Sequence, residues 1–221
     1  MEPMELMRAR HSVRKYTDRK IEPEKAAQLQ AEIEAINQES GLFFALVTEN
    51  EEVFKANQPS YGSFSGCRNC LLLFGGRSSA EQVGYYGERL VLFAQSLGLN
   101  TCWCALTFEK KAVPVKAPAG MKLFIVVALG YGETQGKPHS SKPVEKLARI
   151  TDQSPDWFRR GVEAALLAPT AINQQRFRLE QAGERGVRAK ALLGPCFKID
   201  LGIVKYHFEL GAGRDKFTWA S

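Results

Sequence analysis

The chain has 221 residues, of which 44% are hydrophobic and 24% charged. That length suits one large domain over residues 1–221, and that balance excludes a disordered or fibrous polypeptide. A formal charge of +6 favours anionic partners, but the lysines and arginines are spread out and lack the aromatic interleaving that tracks a phosphate backbone, which argues against nucleic acid.

The amino-terminal stretch MEPMELMRARHSVRKY has no apolar core of the kind a secretion signal needs. The longest apolar runs, Leu71 to Phe74 and Phe124 to Leu129, fall far short of the roughly 18 residues of a membrane-crossing helix. A cytoplasmic protein without membrane association is expected, and its five cysteines, an odd number, read as reduced thiols. Pro23 to Ile36 carries Ala26, Leu29, Ile33 and Ile36 at steps of three and four, which predicts a helix with one buried face and Pro23 near its start. Leu42 to Thr48 predicts a buried strand, Asn57 to Gly66 a loop, and Leu71 to Phe74 a second strand stopped by Gly75 and Gly76. Val83, Tyr86, Leu90, Phe93 and Leu97 predict a helix from Ser79 to Leu97, ended by Gly98. Asn100 to Leu106 reads as a short strand or turn, Lys122 to Gly130 as a central strand, and Glu133 to Lys142 as a polar loop. Ser154, Pro155 and Asp156 mark a helix start for Trp157 to Leu167, which Pro169 ends. A strand at Arg176 to Gln181, a basic helix at Arg185 to Leu193 and a last helix at Asp200 to Leu210 complete an α+β or α/β sandwich with irregular intervals.

Two segments are dense in chemistry. Arg10-His11-Ser12-Val13-Arg14-Lys15 gathers cationic side chains around a hydroxyl. If extended, it projects Arg10, Ser12 and Arg14 to one side at a period of two, as an anion site requires. The plain alternative is a solvated basic turn. In Ala164 to Phe177 an apolar helix gives way to Pro169, Thr170, Ala171, Ile172, Asn173, Gln174 and Gln175. The small residues there let a flat ring approach the backbone, and Asn173 and Gln175 offer paired donors and acceptors. A helix cap or Asx turn is the alternative. Cys67 and Cys70 have CxxC spacing, and Cys102 and Cys104 CxC spacing. They sit against apolar strand residues, which favours core thiols over zinc or an iron–sulfur cluster, and no metal is expected. His207 reads as structural, and no GxSxG nucleophile elbow occurs.

RHSVRKY and APTAINQQRF together resemble the RRSVRxF and APSxxNxQPW signatures of the nitroreductase family of flavin enzymes. GYYGERLVLFAQSLGLNTCW is similar to that family's central helix and following turn, and VVALGYG to its next strand. The resemblance implies a three-layer α/β/α sandwich with a mostly antiparallel central sheet. It implies FMN as cofactor, NADH or NADPH as donor, planar acceptors such as nitroaromatics and quinones, a ping-pong mechanism and a homodimer. By the same resemblance Arg10, His11, Ser12 and Arg14 would grip the phosphate, ribityl chain and pyrimidine edge. Ala105 and Leu106 would turn backbone N–H groups toward flavin N5, and Pro169, Thr170, Ala171 and Asn173 would arrive from the other subunit. In this chain the second signature comes late, as in a divergent branch of the family. The loop after the last core strand offers Lys137, His139, Ser140, Ser141 and Lys142, with Ser141 where an arginine is usual and Lys142 as a phosphate candidate. That departure keeps a second reading open, a flavin- or nucleotide-binding regulatory protein with little turnover.

Overall fold

The computed structural model describes residues 2–55 and 64–220, so the predicted Asn57 to Gly66 loop lies outside the described residues up to position 63. Internal contacts divide the chain into two compact units. The first combines Met1–Arg8, Ala80–Arg89 and His139–Ser221, and the second Ala9–Ser79 and Leu90–Pro138. The fold class is α+β, and the elements in chain order are α1 (Pro3–Ala9), α2 (Pro23–Ser40), β1 (Phe43–Val47), β2 (Asn69–Gly76), α3 (Ala80–Ser96), β3 (Asn100–Cys104), β4 (Met121–Gly130), β5 (Ala148–Arg149), α4 (Asp156–Ala165), β6 (Phe177–Ala182), β7 (Gly186–Ala191), α5 (Phe197–Ala212) and β8 (Thr218–Trp219).

The second unit is built on an antiparallel sheet in the order β1-β2-β4-β3. Strands β2 and β4 are central because both their faces are apolar: Leu71, Leu72 and Leu73 have no exposed surface, nor do Val126 to Leu129. Each such side chain contributes about 1.5–3 kcal/mol on burial, which makes this pair the anchor of the unit. Helix α2 lays Leu29, Ile33 and Ile36 on the core, as the spacing predicts. It ends at Gly41, whose φ of 68° suits a left-handed cap and whose N–H donates to Asn37 O. The Asn37 amide then fixes β1, donating to Phe44 O and accepting from Phe44 N–H.

The first unit carries a mixed sheet in the order β5-β6-β7-β8. Its core is aromatic: Phe208 meets Phe158, Phe217 and Trp219 at 5.1–5.7 Å between ring centroids, within the range of favourable ring pairs. Helices α3 and α5 approach backbone to backbone, because a Cβ at Gly202 would lie 1.9 Å from Glu81 O and one at Gly84 would lie 2.0 Å from Ile199 O. Only glycine fits either position.

Three expectations are corrected. Arg185 to Leu193 is no helix: β7 pairs antiparallel with β6 through a turn at Gly183, whose φ is 75°. Its period is two, with Val187 buried and Arg188 and Lys190 set along a strand rather than a helix. Ser154 does not cap α4. Its hydroxyl accepts the Thr151 N–H, and Pro155 holds the cap position without a side-chain bond. The last helix begins earlier than predicted, at Phe197.

Candidate functional site

In the second unit the two-residue alternation expected of residues 10–14 is not kept: burial falls on Arg10, Val13 and Tyr16, at steps of three. Ser12 bridges Thr101 in parallel, with the Val13 N–H donating to Thr101 O at 3.0 Å, and Tyr16 bridges Gly132. The segment thereby covers the open side of β3. Val13 and Tyr16 turn into the core, and the Tyr16 hydroxyl donates to Val13 O at 2.8 Å. Burial, and then the neighbouring thiols, hold that phenol well above its usual pKa.

The Ser12 hydroxyl bonds the Cys102 thiol of β3, which also feels the Arg14 and Arg10 charges. Burial pushes this thiol up, against the lowering pull of the Arg14 charge, the Ser12 hydroxyl and the Arg10 charge. Arg10 is 3% exposed, whereas Arg14 faces solvent. The His11 imidazole is held below its usual pKa by burial and then by the Arg10 charge, against a backbone hydrogen bond. At neutral pH it is therefore uncharged, and anion attraction falls to the two guanidiniums. Asn100 braces the loop after β4, accepting the Gly132 N–H and donating to Gln135, both at 2.9 Å.

After β3 the chain bends through Ala105 and Leu106, where the Leu106 and Thr107 N–H groups turn back toward the Cys104 sulfur. The Leu106 side chain is 78% exposed, an unusual position for a leucine. The four predicted core thiols, Cys67, Cys70, Cys102 and Cys104, are all buried, and burial pushes Cys67 and Cys70 up to about 12. Among the described residues no group of three or more His, Cys, Asp or Glu is arranged to hold a metal ion. Nor is any helix there long and apolar enough to cross a membrane.

The Pro169–Gln175 bend belongs to the first unit. Ile172, Asn173 and Gln175 take φ of 49°, 53° and 43°, and a β-branched residue in that region is strained. Such a backbone persists only if its surroundings fix it. Here Asp200 of α5, 5% exposed, accepts the Ala171 N–H and, at 2.7 Å, the Gln174 amide. Thr170 Oγ1 accepts the Gln175 N–H. The Asn173 and Gln175 amides both donate to Ser140 O, at 2.9 and 2.8 Å. The Lys142 ammonium, the predicted phosphate candidate, donates to Gln174 O at 2.5 Å. His139 and Ser141 meet Leu166 O just beyond the end of α4. The amides read from sequence as ligand donors are thus engaged in holding the bend, while Ile172 stands 59% exposed.

The sequence reading assigned no role to Asp200 and none to Gln174, which it named only as part of the bend. The signal was available: Asp200 stands in the run Ile199 to Val204, whose other residues are apolar or glycine, where a buried acid needs a local partner. Burial raises its carboxyl from 3.8 to about 6, opposed by the Gln174 amide and the Ala171 N–H. The folded state therefore binds the extra proton between about pH 4 and 6, and this group's contribution to stability falls as pH rises through that window. The change is on the order of 3 kcal/mol. Asp200→Asn is expected to abolish that component of the slope in urea unfolding between pH 4 and 6.5. An unchanged slope would show that Asp200 titrates normally.

A profile of the family described as "Putative TM nitroreductase" matches residues 2–212. Comparison with curated proteins gives no match. Among solved structures, a "putative nitroreductase" of Thermotoga maritima superposes with a TM-score of 0.70 at 20% identity, over 97% of this chain and 85% of that one. One from Desulfovibrio desulfuricans, crystallised in complex with FMN, gives 0.52 at 20% identity, over 69% and 98%. A "putative NADH dehydrogenase/NAD(P)H nitroreductase" of Bacteroides thetaiotaomicron also gives 0.52 at 20%, over 69% and 98%. At these identities the likeness is one of fold. Matched over nearly its whole length, the chain belongs to the nitroreductase family of that profile.

Proposed function

We propose that the protein is a cytoplasmic, homodimeric, FMN-dependent oxidoreductase in which residues 1–221 act as one functional domain. It uses NADH or NADPH to reduce nitroaromatics, quinones or similar planar acceptors in ping-pong order. Family membership and a fold shared with a protein crystallised with FMN support the class. The cofactor assignment is carried by the donor set of the 10–14 segment beside β3. The Arg14 and Arg10 charges and the Ser12 hydroxyl all act on the Cys102 thiol, and the neighbouring His11 imidazole is held below its usual pKa.

That set fits FMN, which offers a phosphate at one end and an electron-rich ring edge at the other. Arg10, His11 and Ser12 are assigned to the phosphate and ribityl chain, and Arg14 to the pyrimidine edge. Bound FMN supplies hydride transfer at its ring. A fixed Arg14 charge favours a negative ring edge over a neutral one, so the contact that binds also eases reduction. Ala105 and Leu106 border the ring, and no side chain is assigned as general acid or base. Pro169, Thr170, Ala171 and Asn173 are assigned to the cofactor bound by a second copy of the chain. A rigid bend suits that role because its ordering cost is met before association.

The test is anaerobic. NADH or NADPH is expected to bleach the yellow absorption of FMN-loaded protein, and a nitroaromatic or quinone to restore it. Bound flavin that neither nucleotide reduces would assign the regulatory role instead.

A further inference from the structure

Within the first unit, Lys142, Lys146, Leu147, Gln175, Arg176 and Leu192 line an open cavity of about 320 Å³. Three of these six side chains are cationic and none is acidic. Local structure explains their meeting. Lys146 closes the short 3-10 turn Val144–Lys146, Arg176 immediately precedes β6, and Leu192 immediately follows β7. The Leu192 N–H donates to Arg176 O at 2.8 Å, and the Arg176 guanidinium donates to Leu193 O, which fixes the cation beside an apolar wall. Lys142 is held at the rim by the Gln174 and Gln175 carbonyls, at 2.5 and 3.4 Å. None of the three cations forms an ion pair with a carboxylate among the described residues.

Like charges gathered in a concavity repel one another, and an entering anion relieves that repulsion while gaining charge-assisted hydrogen bonds. Leu147 is 1% exposed and Leu192 51% exposed, so the same cavity offers apolar surface next to its charges. We infer that this cavity binds the phosphate monoester of a nucleotide, with Lys146 and Arg176 as its principal contacts and Leu192 against the adjoining ring. The anion site stands on its own geometry, whereas the choice of nucleotide rests on the proposed function. With the FMN phosphate assigned to Arg10, His11 and Ser12, the nucleotide this cavity serves is NADPH, through its 2′-phosphate.

Calorimetric titration of the full chain with 2′,5′-ADP, and with adenosine as the control lacking phosphate, tests the site. Wild-type protein is expected to bind 2′,5′-ADP at least tenfold more tightly than adenosine. Lys146→Ser and Arg176→Ser are each expected to weaken the 2′,5′-ADP complex about tenfold, the equivalent of one charge-assisted contact. Both side chains are exposed, so melting temperatures check that folding is intact. Repeating the titration with saturating FMN checks that the cavity is separate from the flavin site: 2′,5′-ADP binding is expected to persist, and its competitive loss would overturn the assignment to NADPH. Equal affinity for 2′,5′-ADP and adenosine, or wild-type affinity in both variants, overturns the site. Either result would leave the flavin bleaching test, and the function it addresses, untouched.

Discussion

Glu88→Ala is expected to lower the folding free energy by about 3–5 kcal/mol, the usual cost of removing one member of a fully buried ionisable pair. Glu88 and His207 both have no exposed surface, and His207 Nε2 lies 2.9 Å from Glu88 Oε1. The other ring nitrogen, Nδ1, lies 3.1 Å from Ala164 O. A carbonyl can only accept, so Nδ1 must carry a proton. The 2.9 Å contact is a hydrogen bond between Nε2 and the carboxyl. The pair thereby joins α3, α4 and α5 of the first unit. Alanine leaves the imidazole without its partner and opens a cavity. Glu88→Gln, by contrast, can donate its amide N–H to an unprotonated Nε2, and is expected to cost only about 1 kcal/mol. Urea unfolding midpoints distinguish the two. A Glu88→Ala variant within 1 kcal/mol of wild type would mean that the pair contributes little.

Arg10→Ala and Arg14→Ala are each expected to weaken FMN binding about tenfold to a hundredfold, as loss of a contact to a charged group predicts. The two should differ in kind. If Arg10 meets the phosphate, its loss lowers affinity for FMN and leaves riboflavin almost unaffected. If Arg14 meets the ring edge, its loss weakens both flavins and makes the bound one harder to reduce. Arg10 is buried, so Arg10→Lys serves as the charge-preserving control and should recover part of the affinity. Flavin fluorescence titrations give all four constants. Unchanged FMN affinity in both alanine variants would remove the donor set from the cofactor site.

Much of this was legible before the fold was known, for local reasons. Leu71 to Phe74, for example, requires only burial on both faces. Helices α2 and α3 announced themselves by spacing, although in α3 the buried face includes Gly84 and Gly87, which a search for apolar residues passes over. The failure at Arg185 to Leu193 has an equally local cause. A run of basic residues and alanines reads as helix by propensity, and pairing with β6 overrides it. The second sheet escaped notice because two of its strands, β5 and β8, are two residues long and exist only through tertiary pairing. In the bend, the amides of Asn173 and Gln175 were visible as chemistry. Their engagement with Ser140 depends on contacts distant in sequence, as does the cavity beside Lys146.

The most direct measurement is a crystal structure of the protein grown with FMN. The account predicts flavin against β3, with the Arg10 guanidinium on the phosphate, Arg14 at the pyrimidine edge, and residues 169–173 of a second copy bordering the ring. Flavin bound away from the 10–14 segment, or a protein that takes up none at saturating FMN, would contradict it.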